Sequence, residues 1–312
     1  MKFSVLKING SFLSAALLAA ALVALNGCAS YDIAKPVKSF NDATAAAMTT
    51  TRQAFDATSQ IYIRRTVEET IALYPADHSV LENLGFTNLN PFLSPEHLQA
   101  RLDVLDGLQK YSERLAALAG NEQLDAFDKQ AAALAAKLSA FNGDIGKITA
   151  GKTKATPEEI EAFATGVREI GRWLILREQR KAMREAITHM QTNVDAIATF
   201  LAADLQDLAQ ENETDYHQIV NALKAPIKDG SMTDPAARAA QMRLIADTIL
   251  EGKKSIAVAK SLTGVAKKLA EAHQLLTDAV TRPNTKFTDL VSQISDECQN
   301  AKSFYDSLGK AK

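Results

Sequence analysis

From Gly171 to Pro226 the chain has neither glycine nor proline between them, and apolar residues recur at steps of three and four. Such a stretch has no place to turn and one periodic way to hide its apolar side chains, as a long amphipathic helix. The stripe starts earlier, at Ile160, Phe163, Val167, Ile170 and Leu174, slips phase between Arg177 and Lys181, and resumes at Ile187. It then runs through Met190, Val194, Ile197, Leu201, Leu205, Leu208, Tyr216, Ile219 and Leu223. Thr156 before Pro157, with Glu159 at the third helical position, is a helix start signal. The pattern predicts a helix over 157–224, roughly 100 Å long if unbroken. The wholly polar run Glu211 to Thr214 marks Asn212 as the point where it can break.

The rest of the chain follows the same rule. Aromatic residues make up only 6% of the sequence, and 312 residues contain just 14 glycines and 8 prolines, too little punctuation for a fold of many short strands. Pro36 opens a helix over 36–73 whose stripe (Phe40, Ala43, Ala47, Ala54, Ala57, Ile61) is rich in small residues. Pro75, Gly85, Asn88, Asn90 and Pro91 make 74–94 an irregular stretch, from which His78, Phe86 and Phe92 can project. Ser94 and Pro95 then start a helix over 95–119 with leucines at 98, 102, 105, 108, 115 and 118. Gly120 separates it from a helix over 121–142 carrying Leu124, Phe127, Ala131, Leu134, Leu138 and Phe141, and the two are expected to form a hairpin. Asp234 and Pro235 open a helix over 234–281, and Pro283 separates it from a last one over 284–308. The predicted fold class is all-α: residues 36–312 form an elongated antiparallel helical bundle with long, coiled-coil-like helices.

Charge suggests one pairing within that bundle. Between Ile187 and Leu223 there is no lysine or arginine, but there are Asp195, Asp204, Asp207, Glu211, Glu213 and Asp215. A turn at 225–233 would bring back a helix bearing Arg238, Arg243, Lys253, Lys254, Lys260, Lys267 and Lys268. Acid is therefore expected to face base along this contact, setting register more than stability. The net charge is only −2, so no global field draws the chain to nucleic acid.

Chemical motifs are sparse. Residues Gly146 to Thr153 match the phosphate-binding pattern G-x-x-x-x-G-K-[ST], but an alanine-rich helix precedes them where that loop needs a strand. They read as a Gly/Lys/Thr linker, and no nucleotide is expected. Glu185 with His189, and Glu213 with His217, are each one turn apart but lie roughly 40 Å from each other along one helix, too far to share a metal. With His78, His97 and His273 scattered, no metal and no cofactor is expected, and no catalytic residue is assigned. Arg172, Arg177, Arg180, Lys181 and Arg184 around Trp173 read as a solvated face balanced by Glu169, Glu178 and Glu185. Cys298 falls on the apolar stripe of the last helix, where a buried thiol acts as a small apolar group.

The N-terminus is more specific. Lys2 and Lys7 precede an apolar run from Phe12 to Leu25, shorter than a membrane-spanning helix needs and suited to a signal peptide. It ends in Leu25-Asn26-Gly27-Cys28, which resembles the lipobox of bacterial lipoproteins; Asn26 departs from the small or aliphatic residue usual there. The resemblance covers about the first 30 residues. It implies cleavage between Gly27 and Cys28, an S-diacylglycerol and an N-acyl group on Cys28, and a tether over 28–35. Ala29, where an inner-membrane lipoprotein would carry Asp, implies the outer membrane facing the periplasm.

The expected function is that of a lipid-anchored cell-envelope protein, a non-enzymatic scaffold or binding module working through helical surfaces. Its expected partners are the membrane, through the anchor, and another envelope protein. One alternative is a membrane-active helical protein resembling long-helix pore-forming toxins, which would need a concealed apolar segment able to insert. A second is a ligand- or metal-binding bundle with a pocket near 74–94.

Overall fold

The helix predicted without glycine or proline is the spine of the protein. In the computed structural model, which describes residues 32–85, 89, 93–120, 165 and 179–310, it runs unbroken over Gln179–Lys228 and is called α3. The other described helices are α1, Ala34–Leu73; α2, Pro95–Ala119; α4, Pro235–Ala279; and α5, Thr285–Lys310. A short 3₁₀ helix, His78–Leu84, follows α1. No strand occurs among the described residues, so the all-α bundle holds. The helix expected over 121–142 lies outside the described residues, as do almost all of 157–178, the 146–153 motif, Trp173 with Arg172 and Arg177 of its patch, Phe86, Phe92, Gly27 and Cys28; Lys181 and Arg184 of that patch are exposed on α3.

The helix starts have the local causes read from sequence. Ser94 Oγ accepts from His97 N at 3.3 Å, and Asp234 accepts from Ala236 N and Ala237 N at 3.2 and 3.1 Å. In each, proline follows the cap. Asn284 Oδ1 caps α5 by accepting from Phe287 N at 3.1 Å. Gly230, at φ +79°, makes the left-handed turn between α3 and α4. Two boundary expectations are corrected. Helix α3 continues past residue 224 through Pro226 to Lys228, because a proline in the last turn removes a single bond. It also does not break at Asn212, whose side chain is buried and donates to Ser255 Oγ on α4 at 3.3 Å.

Side-chain partners fix the packing directions. Phe40 stacks near His273 and Arg64 reaches Glu251, so α1 and α4 are antiparallel. Gln191 meets His273 and Tyr216 meets Glu251, so α3 and α4 are antiparallel too, and theirs is the most extensive contact of the fold. Helix α2 runs against α1, with Ser112 at Asn41 and Asp106 at Arg52. Helix α5 runs against α4, with Lys286 at Glu271 and Glu297 at Ser261.

Helices α2 and α5 are shorter than the others, and this divides the described helices into two levels. Near the start of α1, five helices enclose a large core that includes Val37, Phe40, Leu105, Leu108, Ile187 and Leu276. Helix α2 begins beside Asp204 and α5 ends beside Gln53, so neither reaches the far end. There, among the described helices, α1, α3 and α4 continue around a separate core of Ile61, Tyr216, Ile219, Val220, Leu223 and Ile245. The lower level is called the base and the upper level the tip.

The charge pairing expected between α3 and α4 is not how the acids are used. Asp204 receives Arg101 of α2 at 2.7 and 3.2 Å, and Asp215 receives Arg65 of α1 at 3.0 Å. On α4, Lys268 pairs with Glu297 of α5. Contacts between α3 and α4 are instead apolar or carry at most one charged group, as at Asn212–Ser255 and Tyr216–Glu251. The reason is geometric. Asp204 faces α2, Asp215 faces α1 and Lys268 faces α5, so these charges lie on sides of α3 and α4 that other helices cover.

Candidate functional site

Two polar layers and one apolar surface stand out. The first layer crosses the base. His273 is fully buried, and its ring lies between Phe40 and Tyr111, each centroid 5.5 Å away. Tyr111 Oη sits 2.6 Å from His273 Nε2, and Gln191 Oε1 sits 2.8 Å from Nδ1. The consistent proton inventory has the tyrosine donate to Nε2 and Nδ1–H donate to the amide oxygen. Gln191 Nε2 in turn donates to Asp195 Oδ1 at 2.8 Å. Asp195 borders a groove of about 450 Å³ between α3 and α4, lined by Ala198, Ala202, Thr263, Lys267 and Ala270.

This chain leads from core to surface, but its electrostatics argue against proton transfer. Burial pushes His273 down to about 3 and Tyr111 well above the usual tyrosine value, so both stay neutral at neutral pH. A satisfied neutral layer instead penalises every other helix register, since a slip would leave buried polar groups without partners. The histidine was legible as a stripe position: it falls in line with Leu262, Ala266, Leu269 and Leu276, yet among scattered histidines it gave no chemical pattern. Of the others, His78, His189 and His217 are exposed and His97 is half-buried. Among the described residues no three His, Cys, Asp or Glu are grouped to hold a metal. Cys298 is buried, and burial pushes its thiol up to about 11, the small apolar role expected of it.

The second layer separates base from tip. Arg64 Nη1 donates to both carboxylate oxygens of Glu251 at 3.1 Å, Arg64 Nη2 donates to Thr248 Oγ1 at 3.1 Å, and Tyr216 Oη donates to Glu251 at 2.9 Å. Arg65 donates to Asp215 Oδ1 and to Gln218 Oε1, both at 3.0 Å. Asp215 has no exposed surface, and its Oδ2 has no hydrogen-bond partner; nor has Asn212 Oδ1. Burial pushes Asp215 up to about 6, with Arg65 pulling it down and Glu211 and Glu69 pushing it further up. Gly252 lies against this layer because Tyr216 covers the α4 backbone: a Cβ there would stand 2.8 Å from the ring's Cγ.

Beyond this junction lies the apolar surface. The large hydrophobic side chains left exposed among the described residues are Ile71, Leu73, Tyr74, Leu81, Met242, Leu244, Ile249 and Leu250. All belong to the end of α1, the 3₁₀ helix or the first turns of α4; the base exposes none. Leu250 is 59% exposed and Ile71 57%, whereas Ile245 on the inner face is 8%. After residue 73, Tyr74 and Leu81 contribute to this surface; of the residues expected to project from 74–94, His78 is exposed, and Phe86 and Phe92 lie outside the described residues. The first turns of α4 were not singled out from sequence. Their signal was an apolar pattern on every face of the helix, which a stripe-based reading assigns to the core.

The exposed large apolar side chains of the described residues thus gather at one end of the helices, a distribution of the kind that marks a candidate interaction surface. Among the described residues no helix is long and apolar enough to cross a membrane. Set against family models, curated proteins and solved structures, the chain matches none.

Proposed function

We propose that this chain is a lipid-anchored bacterial envelope protein, on the outer membrane facing the periplasm, that works as a non-enzymatic binding module through its tip. The anchor part of this reading comes from the Leu25–Cys28 lipobox. The binding part comes from one observation: exposed large apolar residues gather at the tip and are missing from the described base. The few residues between Cys28 and Ala34 span at most about 20 Å, so a lipidated Cys28 keeps the start of α1 near the bilayer. Helix α1, 40 residues long, then extends about 60 Å to the tip. A tether at one end and an apolar surface at the other suit a protein that reaches from its membrane to a partner.

The test has two arms. A Cys28→Ala form is expected to leave the membrane fraction; if it matures and fractionates like the parent, the anchor is wrong. A photo-crosslinking residue at Leu250 is expected to trap a partner in intact cells, while one at Asp289 of α5 does not. Adducts at Asp289 and none at Leu250 would move the binding end to the base.

A second reading draws on the same apolar tip: a membrane-active protein that touches a bilayer with it. Leakage of dye from liposomes on adding the delipidated protein, abolished by Leu250→Glu, would favour this over a protein partner.

A further inference from the structure

The first turns of α4 combine few charges with wide exposure. From Pro235 to Leu250 the only charged residues are Arg238, Arg243 and Asp247, so the segment is apolar nearly all round. A helix of that kind is ordinarily covered on every side. Here Ile245 and Thr248 are buried, Gln241 is half-buried, and the rest is exposed.

The uncovered part has an order of its own. The spacing along it alternates three and four: Ala239, Met242, Ala246 and Ile249 form one exposed line, of the kind that a second helix packs against. Alanine at alternate positions lets a partner backbone approach closely. Arg243 and Lys254 border the line on one side, where the one acid is Asp247, and Lys253 takes the line's next position; these three basic residues form no ion pair among the described residues. The nearby Glu251 is already taken by Arg64.

We infer that this line on α4 docks an amphipathic helix of a partner protein, one with an apolar heptad seam and acidic flanks. The inference rests on the tip being the binding end and is independent of the lipid anchor. Two other occupants fit less well. A bilayer-binding helix usually carries aromatic residues on its apolar face and lysine and arginine opposite, whereas Pro235 to Leu250 has no aromatic residue and sets the acid Asp247 beside Arg243. A second copy aligned in parallel would set Arg243, Lys253 and Lys254 beside their own counterparts, like against like.

The test uses the full chain and a labelled synthetic peptide of about three heptads, with leucine at the seam and glutamate at the flanks. Fluorescence anisotropy should show binding to this peptide in preference to the same peptide with lysine flanks. Met242→Glu with Ile249→Glu should weaken it at least tenfold. Arg243→Glu with Lys254→Glu, exposed substitutions that leave the seam intact, should reverse the preference. The charge reversal decides the matter if circular dichroism shows the first variant misfolded. Equal binding of both peptides overturns the inference. So does binding to phosphatidylglycerol vesicles that the same variants abolish, or a dimer in sedimentation that Ile249→Glu dissolves. If the peptide fails but Leu250 still crosslinks a partner in cells, the helical partner is wrong while the tip remains the binding end.

Discussion

In the base, Phe40, Tyr111, His273 and Leu276 meet among five helices and every large apolar side chain described is at least partly covered; at the tip, the same α1, α3 and α4 enclose only a few residues and leave Met242, Ile249 and Leu250 in solvent. Both levels are made by the same helices, so helix propensity does not separate them. The number of neighbours does. Five helices can cover each other's stripes, while three leave outer faces open, and a sequence that keeps those faces apolar forgoes burial worth about 1.5–3 kcal/mol per large side chain. The polar layers differ as well. The His273 layer is neutral with its hydrogen bonds made, whereas the Asp215 layer holds buried charge and oxygens without partners. The base is a stable platform, and the tip is an extension with less to hold it.

Four predictions press on that contrast. The largest effect is expected for Leu108→Ala, which empties part of the base core and should lower stability by about 2–5 kcal/mol, read as a fall in the urea midpoint. Ile245→Ala should cost less and speed hydrogen exchange only around residues 212–252. If it unfolds the base equally, the two levels are one cooperative unit.

Next is Gly252→Ala. Alanine should favour a helix by about 1 kcal/mol, but its Cβ meets the Tyr216 ring at 2.8 Å. A net loss of about 1–3 kcal/mol is expected, confined to the tip by exchange protection. A more stable variant would show that Tyr216 moves freely.

Acidification should act on the two levels in opposite directions. His273 sits at about 3 when folded and near the ordinary 6.5 when unfolded, so its contribution is lost as pH falls below 6.5. Asp215 is raised to about 6 when folded, so its cost at neutral pH is relieved as pH falls from 6 toward 3.8. Each group changes stability by at most about 1.4 kcal/mol per pH unit in its window. Exchange protection between pH 7 and 4.5 should therefore fall in the base and rise at the junction. Asp215→Asn should remove the second trend alone; a junction that still gains protection places that titration elsewhere.

The smallest stability effect is expected at the exposed residues. Leu250→Glu should change the melting free energy by less than about 0.5 kcal/mol while abolishing the crosslink from a photo-crosslinking residue placed at Met242. A large destabilisation would mean that Leu250 belongs to the core.

Much of the fold was legible from sequence for local reasons. Ser94, Asp234 and the prolines after them set helix starts by capping geometry, and the three-four stripes on α2, α3 and α5 named their buried faces directly. The candidate surface was legible only in part. The 74–94 stretch announced itself through its turn residues, but Met242 and Ile249 resemble core residues in every local respect. Asn212 misled because a polar run suggests a break unless another helix supplies Ser255.

What the sequence determined alone is the helical class, the capped starts at Ser94 and Asp234 and the buried stripes of α2, α3 and α5, because these follow from intervals of a few residues along one chain. Only the tertiary structure decided that Arg65 takes Asp215, that α2 and α5 stop short of the tip, and that the outer line of α4 is left uncovered. Those depend on which helices lie side by side. Neighbours in space are chosen by the packing of whole faces, and no local interval records how many other faces remain to cover them.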